Sequence, residues 1–500
     1  MSHFEALLQG LQDTLHAVAS SIHRAKGHLR RSRNALVNVN TLPDEILRLV
    51  FVNAAQTAIT HKIRISTTCW HWRRICFAFP RLWAEFHAPG FSSALVTRSI
   101  SLARCHPLTV IVDLNMLFGC TKSVLMHNRT SIDSMELIVS SNSSHTTDWL
   151  QTDFPRLRRL RIQGSRRFYD EILPSLNGRT GNLRHAHFVH CRLPYSAHHY
   201  NRFYTLSISS DCADDDRRSG GDGDGSLFDA LSGCVDLQEL SLCNAPMAIT
   251  EVEAHPQSHP LYPIRLPRLQ SLHLSMAVQK ASIILAGLAT SESLQTIDLV
   301  LRSWDAARPE RRVQIDKSLL LTLPSAECLP ILSRLVTLSM HYAHGFAGKF
   351  APCAEYGAPG HLKVPDSGAI SIAFAHEDDL METAFRNFLF SLLHHHGLSS
   401  LRALELQDFP LADTLRVLRA APALETLTLS GSSHTSSHPT SLPTPGAVLT
   451  ALTDARAGGD RLVPQLRTVV LLGSPPPEKE FVELSQASRR LAAQLELRAL

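Results

Sequence analysis

Three histidines fall within six residues in "HAHFVH", namely His185, His187 and His190, and imidazoles at that density are the first candidate for metal chemistry. His185 and His187 stand two apart. On an extended chain they point the same way, as two ligands of one ion must. No acidic residue or cysteine has the spacing to finish a ligand set from this segment. "DGDGS" at 222–226 has the acidity of a calcium loop. With Asp222 in its first position, Leu227 falls where the sharp turn needs glycine and Gly233 where the bidentate glutamate belongs, so a solvated acidic loop is the better reading. "HHH" at 394–396 reads as a helix end, where positive charge is favoured. The chain holds no phosphate-cradling glycine loop, no Gly-x-Ser-x-Gly, no His-Glu-x-x-His and no dinucleotide-binding turn. A hydrolase or transferase therefore has no positive support. The expectation is a protein that is not an enzyme and takes no cofactor and no metal.

A second group can bind without catalysing. Arg159 and Arg161 also stand two apart, and His185 and His187 follow at the same offset 26 residues later. A guanidinium grips a carboxylate or phosphate through two parallel hydrogen bonds, and histidine adds charge as pH falls towards six. These four residues are the candidate substrate contacts, for an acidic or phosphorylated segment. A plain solvated surface is the competing reading.

What places them is a recurring pattern. Leu-x-x-Leu-x-Leu, with variants, starts at Leu157, Leu183, Phe203, Leu237, Leu269, Leu294, Leu335, Leu401, Leu424 and Leu466, and Ile132 begins a further candidate. The fourth and sixth positions share one face of a short strand, and the first turns inward just before it. Such a strand buries its leucines only when a neighbour stacks on it, so a run of copies makes one continuous core. The positions in between, Arg159 and Arg161 among them, face outward. The spacing is 26 from Leu157 to Leu183 and 25 from Leu269 to Leu294, but 41 from Leu294 to Leu335 and 66 from Leu335 to Leu401. The excess falls in polar or Gly/Pro/Ser-rich stretches near 211–226, 342–370 and 430–446, which read as projecting loops. The pattern resembles leucine-rich repeats in an irregular form, and the resemblance implies parallel strands on a concave face with helices outside.

The first ninety residues differ. Phe4, Leu8, Leu11, Leu15, Val18, Ile22, Ala25 and Leu29 step by alternating four and three, a 3.5-residue repeat over about four heptads. A helix packed back on its own chain and a coiled coil joining two subunits both satisfy it. From 41, Pro43 suits a first helical position, and Ile46, Leu47, Val50 and Phe51 follow at helical spacing as one apolar face. Ile65, Cys69, Trp72, Cys76 and Phe79 form a second stripe that Pro80 ends, and Leu82, Trp83 and Phe86 follow. A unit of about fifty residues with this much aromatic surface needs a partner to bury the rest.

"LPDEILRLVF", then Cys69-x-x-Trp72-Arg73, then "PRLW" at 80–83, taken in that order, resemble the F-box-like domain abundant in fungal proteins, a match covering about a tenth of the chain. The resemblance implies docking to the Skp-type adaptor of a cullin-type ubiquitin ligase, with Leu42, Pro43, Ile46, Leu47 and Trp72 in or directly under that interface. Repeats then capture a protein to be ubiquitinated, whose identity the chain does not reveal. The alternative is a leucine-rich-repeat interaction scaffold with no ligase role, its helical domain capping the repeats.

Composition narrows the setting. Lys and Arg number 49 against 45 acids, a formal balance of +4, too small for a strong footprint on nucleic acid or anionic lipid. The longest apolar run, "ASIILAGLA" from 281, is about half of what spans a bilayer. The start of the chain lacks the features of a signal peptide. Ten cysteines without a Cys-x-x-Cys read as reduced, mostly buried thiols. The expectation is thus an α/β chain, cytoplasmic or nuclear, with no nucleic-acid or membrane partner. It holds a heptad helix at 1–34, which could join two copies through residues 4–29, an F-box-like helical domain at 41–90, and an irregular solenoid at 130–500.

Overall fold

The computed structural model describes residues 2–55, 58–88, 93–114, 119–139, 152–164, 182–191, 202–210, 227–244, 264–290, 293–302, 329–344, 368–376, 379–393, 398–407, 411–430, 445–457, 462–472, 478–491 and 493–498. It is an α/β structure with a helical N-terminal region and long runs of parallel strands. The described residues form two compact units, one holding 2–160 and 182, the other 161–164 and 183–498.

The first unit begins with α1 (Ser2–Ala35), the heptad helix. After a short 3-10 turn come α2 (Asp44–Ala55), α3 (Ile59–Thr68), α4 (Trp70–Ala78) and α5 (Arg81–Ala84). Asp44 and Glu45 lie in the first turn of α2, where negative charge complements the helix dipole. Pro43 sits one place ahead of that helix, its carbonyl accepting from the amides of Ile46 and Leu47.

The stripe read as running from Ile65 to Phe79 is broken at Cys69. That residue is extended (φ −152°, ψ 170°), and its Sγ accepts the amide of Trp72 at 3.4 Å to open α4. The cause lies just upstream. The Thr67 and Thr68 hydroxyls donate back to the carbonyls of Ile63 and Arg64, competing with the helical ladder, and Arg73 Nε satisfies Ser66 O, one of the last four carbonyls of α3. Leu47, Phe51, Ile59, Ile75, Cys76, Leu82 and Trp83 fill the resulting core. Trp83 Nε1 donates to Cys76 O at 2.9 Å, which removes the one polar burden of that ring.

Parallel pairing begins before residue 130. β1 (Glu85–His87) follows α5 directly and pairs with β2 (Leu108–Asp113), which pairs with β3 (Ile132–Val139). Leu108, Val110 and Val112 alternate inward, a period-two signal without the leading leucine of the recurring motif. α6 (Ser93–Ala103) and α7 (Gly119–His127) connect these strands. β4 (Arg159–Gly164) divides, with Arg159 and Leu160 in the first unit and the rest in the second.

The second unit continues with β5 (His185–Val189), β6 (Thr205–Ser209), β7 (Glu239–Cys243), β8 (Ile264–Leu266), β9 (Ser271–Ala277), β10 (Leu288–Thr290), β11 (Thr296–Arg302), β12 (Leu335–His344), β13 (Gly368–His376), β14 (Ala403–Gln407), β15 (Thr426–Ser430), β16 (Thr468–Leu472) and β17 (Gln494–Arg498). From β5 onward they stack in parallel in the order β5-β6-β7-β9-β11-β13-β12-β14-β15-β16-β17, while β8 and β10 pair with each other. Helices at 278–287, 379–391, 411–420, 445–457 and 478–490 lie between strands in sequence. In all eleven Leu-x-x-Leu-x-Leu segments the three motif positions are buried.

One feature reverses sequence order. β13 lies between β11 and β12, so the 294–335 spacing separates segments that are not neighbours. The stretch near 342–370, read as a loop, therefore ends in a strand, with Ile370 and Ile372 buried. Its "GAISIAF" alternates at period two but carries no leading leucine, which is why the motif does not find it. The acidic loop at 222–226, the histidines at 394–396 and most of the stretches read as loops lie outside the described residues.

Cys69, Cys76, Cys105, Cys120, Cys191 and Cys234 are free. Burial pushes the Cys76, Cys191 and Cys234 thiols up to about 12, so they stay protonated and unreactive. Cys243, at the end of β7, is disulfide-bonded, which corrects the expectation that every cysteine is reduced. Spacing along the chain does not by itself reveal a disulfide pairing. Among the described residues no helix is long and apolar enough to cross a membrane, and no group of three His, Cys, Asp or Glu could hold a metal.

Candidate interaction surfaces

The residues singled out on α2 do not share one face. Leu47, Phe51 and Ala55, spaced by four, point into the helical core. Ile46 and Val50, one position earlier in each turn, are rotated by about 100° and lie outside. Ile46 is 43% exposed where Leu47 is 0%. Leu42 and Pro43 before the helix and Leu49 on it are exposed too, so an apolar stripe runs along the outside of α2 with nothing from the described chain over it. Sequence reasoning missed Leu49, because the pattern of the inward stripe gives it no role.

Trp72 is half-buried beneath this helix. Its ring packs on Phe51 with centroids 4.9 Å apart, and its Nε1 donates to Asn40 Oδ1 at 2.6 Å. It holds the start of α2 in place rather than offering a free surface. The neighbouring Trp70 is exposed. Arg74 lies over its ring at 5.5 Å and also reaches Asp44 at 3.6 Å, while His71 approaches the same carboxylate at 3.7 Å. The exposed indole is thereby tied to the first turn of α2.

The second surface is the outward face of the parallel strands. In the first unit, Arg159 reaches Asp133 Oδ2 at 3.4 Å, and Arg158 lies 3.6 Å from Oδ1 of the same carboxylate. The charge of Arg159 is therefore already shared within its own unit. In the second unit, register aligns His185, Thr205, Glu239, Ser271 and Thr296 in one row across five strands, and His187, Ser207, Ser241, His273 and Asp298 in the next.

Hydrogen bonds run along both rows. Thr205 Oγ1 donates its single proton to Glu239 Oε2 at 3.3 Å, so the 3.1 Å contact from His185 requires Nδ1–H as donor. Thr296 bonds Ser271 at 3.0 Å, and His273 Nδ1 meets Asp298 Oδ2 at 2.7 Å. Ser241, His273 and Asp298 are the residue types of nucleophilic hydrolysis on three adjacent strands. Among the described residues no hydrogen bond joins Ser241 to His273.

His187 behaves unlike the expectation for it. Burial, and then the positive charge of Arg161 beside it, hold its pKa below the usual imidazole range. It stays neutral at a pH where a free histidine begins to charge, against the pH-dependent charge expected of it. Arg184, absent from the candidate set, adds a cation on this side. Its guanidinium stacks on Tyr204 at 5.1 Å and donates to Arg202 O. It precedes the strand, where the motif assigns no outward position.

No protein-family model matches the chain, and no curated protein matches it either.

Proposed function

We propose that the protein is the substrate-recognition adaptor of a Skp–cullin–F-box ubiquitin ligase. In this reading α2 to α5 are an F-box-like domain, and the stacked strands are irregular leucine-rich repeats that bind a target protein. The observation carrying the proposal is the uncovered stripe of Leu42, Ile46, Leu49 and Val50 on a helix whose opposite face already fills a core. A small helical unit that leaves this much apolar surface bare has a partner to cover it. Leu42 and Ile46 belong to the "LPDEILRLVF" segment that carries the family resemblance. The protein does no chemistry itself. It raises the effective concentration of a bound target beside the ligase.

Co-expression with a Skp-type adaptor tests this. The wild-type chain should co-purify with it, and Ile46→Asp should abolish capture by placing an unpaired charge in the contact. Capture at undiminished strength by Ile46→Asp would sink the docking reading.

One observation favours a scaffold without a ligase role. α5 runs directly into β1, which opens the parallel ladder with β2, and Trp83 and Phe86 are buried there. The helices thus cover the end of a strand stack, as a terminal cap must. A chain that never captures the adaptor, wild-type included, would leave this reading standing.

A further inference from the structure

α1 is a 34-residue helix whose heptad side chains are bare. Leu8, Leu11, Leu15, Val18, Ile22 and Leu29 are between 49% and 73% exposed, so the helix is not packed back on the described part of its own chain. A 3.5-residue apolar repeat left open along a helix is the seam of a coiled coil. We infer that α1 pairs with α1 of a second copy of this chain, and that the two helices run antiparallel.

Charge sets the direction. Residues 2–15 carry Glu5 and Asp13 with no Lys or Arg, whereas residues 24–33 carry Arg24, Lys26, Arg30, Arg31 and Arg33. Coiled-coil axes lie about 8–10 Å apart, within roughly one Debye length at physiological salt. A parallel pair therefore sets five cations of one copy beside five of the other. The antiparallel pair sets each basic end beside an acidic end and opposes the two helix dipoles favourably.

Register agrees with direction. The seam positions are self-complementary about a dyad midway between residues 16 and 17. Leu8 falls level with Ala25 of the second copy, Leu11 with Ile22 and Leu15 with Val18. Every large side chain then meets a seam residue, and the smallest, Ala25, meets a leucine. Residue 5 comes level with residue 28 of the second copy, inside the segment that carries Lys26, Arg30 and Arg31. What singles out a second copy is charge, since the acidic start and basic end of the helix complement each other when it meets its own reverse.

Sedimentation of the full chain, loaded at tens of micromolar, should give twice the 55.3 kDa of one copy. Leu11→Asp combined with Leu15→Asp should return the chain to monomer while thermal unfolding of the remainder is unchanged, since neither side chain contributes to a core. For direction, a Leu11→Cys chain is mixed with an Ile22→Cys chain and oxidised, and cross-linked peptides are identified by mass spectrometry. The antiparallel register predicts the 11–22 link in at least tenfold excess over 11–11 and 22–22. Raising salt from about 0.05 M to about 0.5 M should weaken the dimer several-fold, because the attraction between opposite ends is screened. A monomeric wild type at these concentrations overturns the pairing, and dominant 11–11 and 22–22 links, or a dimer that tightens with salt, overturn the direction.

Discussion

Lys62 of α3 donates from Nζ to the main-chain carbonyl of Glu85, the first residue of β1, so a buried ammonium fastens the helical layer to the strand that follows it. Burial lowers its pKa from 10.5 to about 8, with the nearby Glu85 carboxylate opposing the shift. Below pH 8 both folded and unfolded chains carry the proton, and the cost of holding the charge inside is borne in full. Between about 8 and 10.5 the folded chain sheds its proton first, so stability rises with pH across that window, by at most about 3 kcal/mol. Lys62→Met removes the buried charge. It should gain about 1–3 kcal/mol at pH 7 and flatten the alkaline rise relative to wild type. Tryptophan fluorescence makes the unfolding of this unit visible, since Trp70, Trp72 and Trp83, three of the five tryptophans in the chain, lie in it. A loss of stability in Lys62→Met would show that the hydrogen bond outweighs the buried charge.

Two neighbouring residues on α2 should respond in opposite ways. Leu47→Ala empties a filled core position and should cost about 2–5 kcal/mol in denaturant unfolding. Ile46→Ala touches only the bare stripe and should stay within about 0.5 kcal/mol. Adaptor capture should rank them in reverse, with Ile46→Ala weaker than a folded Leu47→Ala chain. Equal destabilisation by both would mean that the two stripes are not separate.

The imidazole of His187 offers a direct test of the strand face. Its titration by NMR should lie below that of an ordinary histidine, and Arg161→Ala should move it up only part of the way, because burial is the larger cause. Its depressed pKa is a stability contribution present above about 6.5 and lost as pH falls below that, since the unfolded chain takes the proton first. A full return to the ordinary value in Arg161→Ala would assign the shift to charge alone.

The strand face was the legible part. Leucines at fixed offsets announce which positions are buried, since a short strand has only two sides, and every motif position proved buried. Helix faces were harder. Ile46, Leu47, Val50 and Phe51 fit one apolar face by type, yet they are two stripes, because a helix can be apolar on a side that only a partner would cover. The break at Cys69 escaped for a different reason: steps of four and three run through it, and only the hydroxyls of Thr67 and Thr68 mark the end. The state of His187 depends on what stacks around it, which no single segment records.

The reversed order of β13 and β12 has a consequence for how the chain reaches this state. Stacked strands can dock one after another as they leave the ribosome, each finding the previous one already in place. Residues 335–344 cannot, because the strand that must lie between them and β11 is made later. At a synthesis rate of roughly 5–20 residues per second, the stretch from 344 to 376 takes about 2–6 s, and for that time an apolar strand with Leu335, Leu338 and Met340 waits unpaired. During that interval the nascent chain exposes a strand that a chaperone would shield.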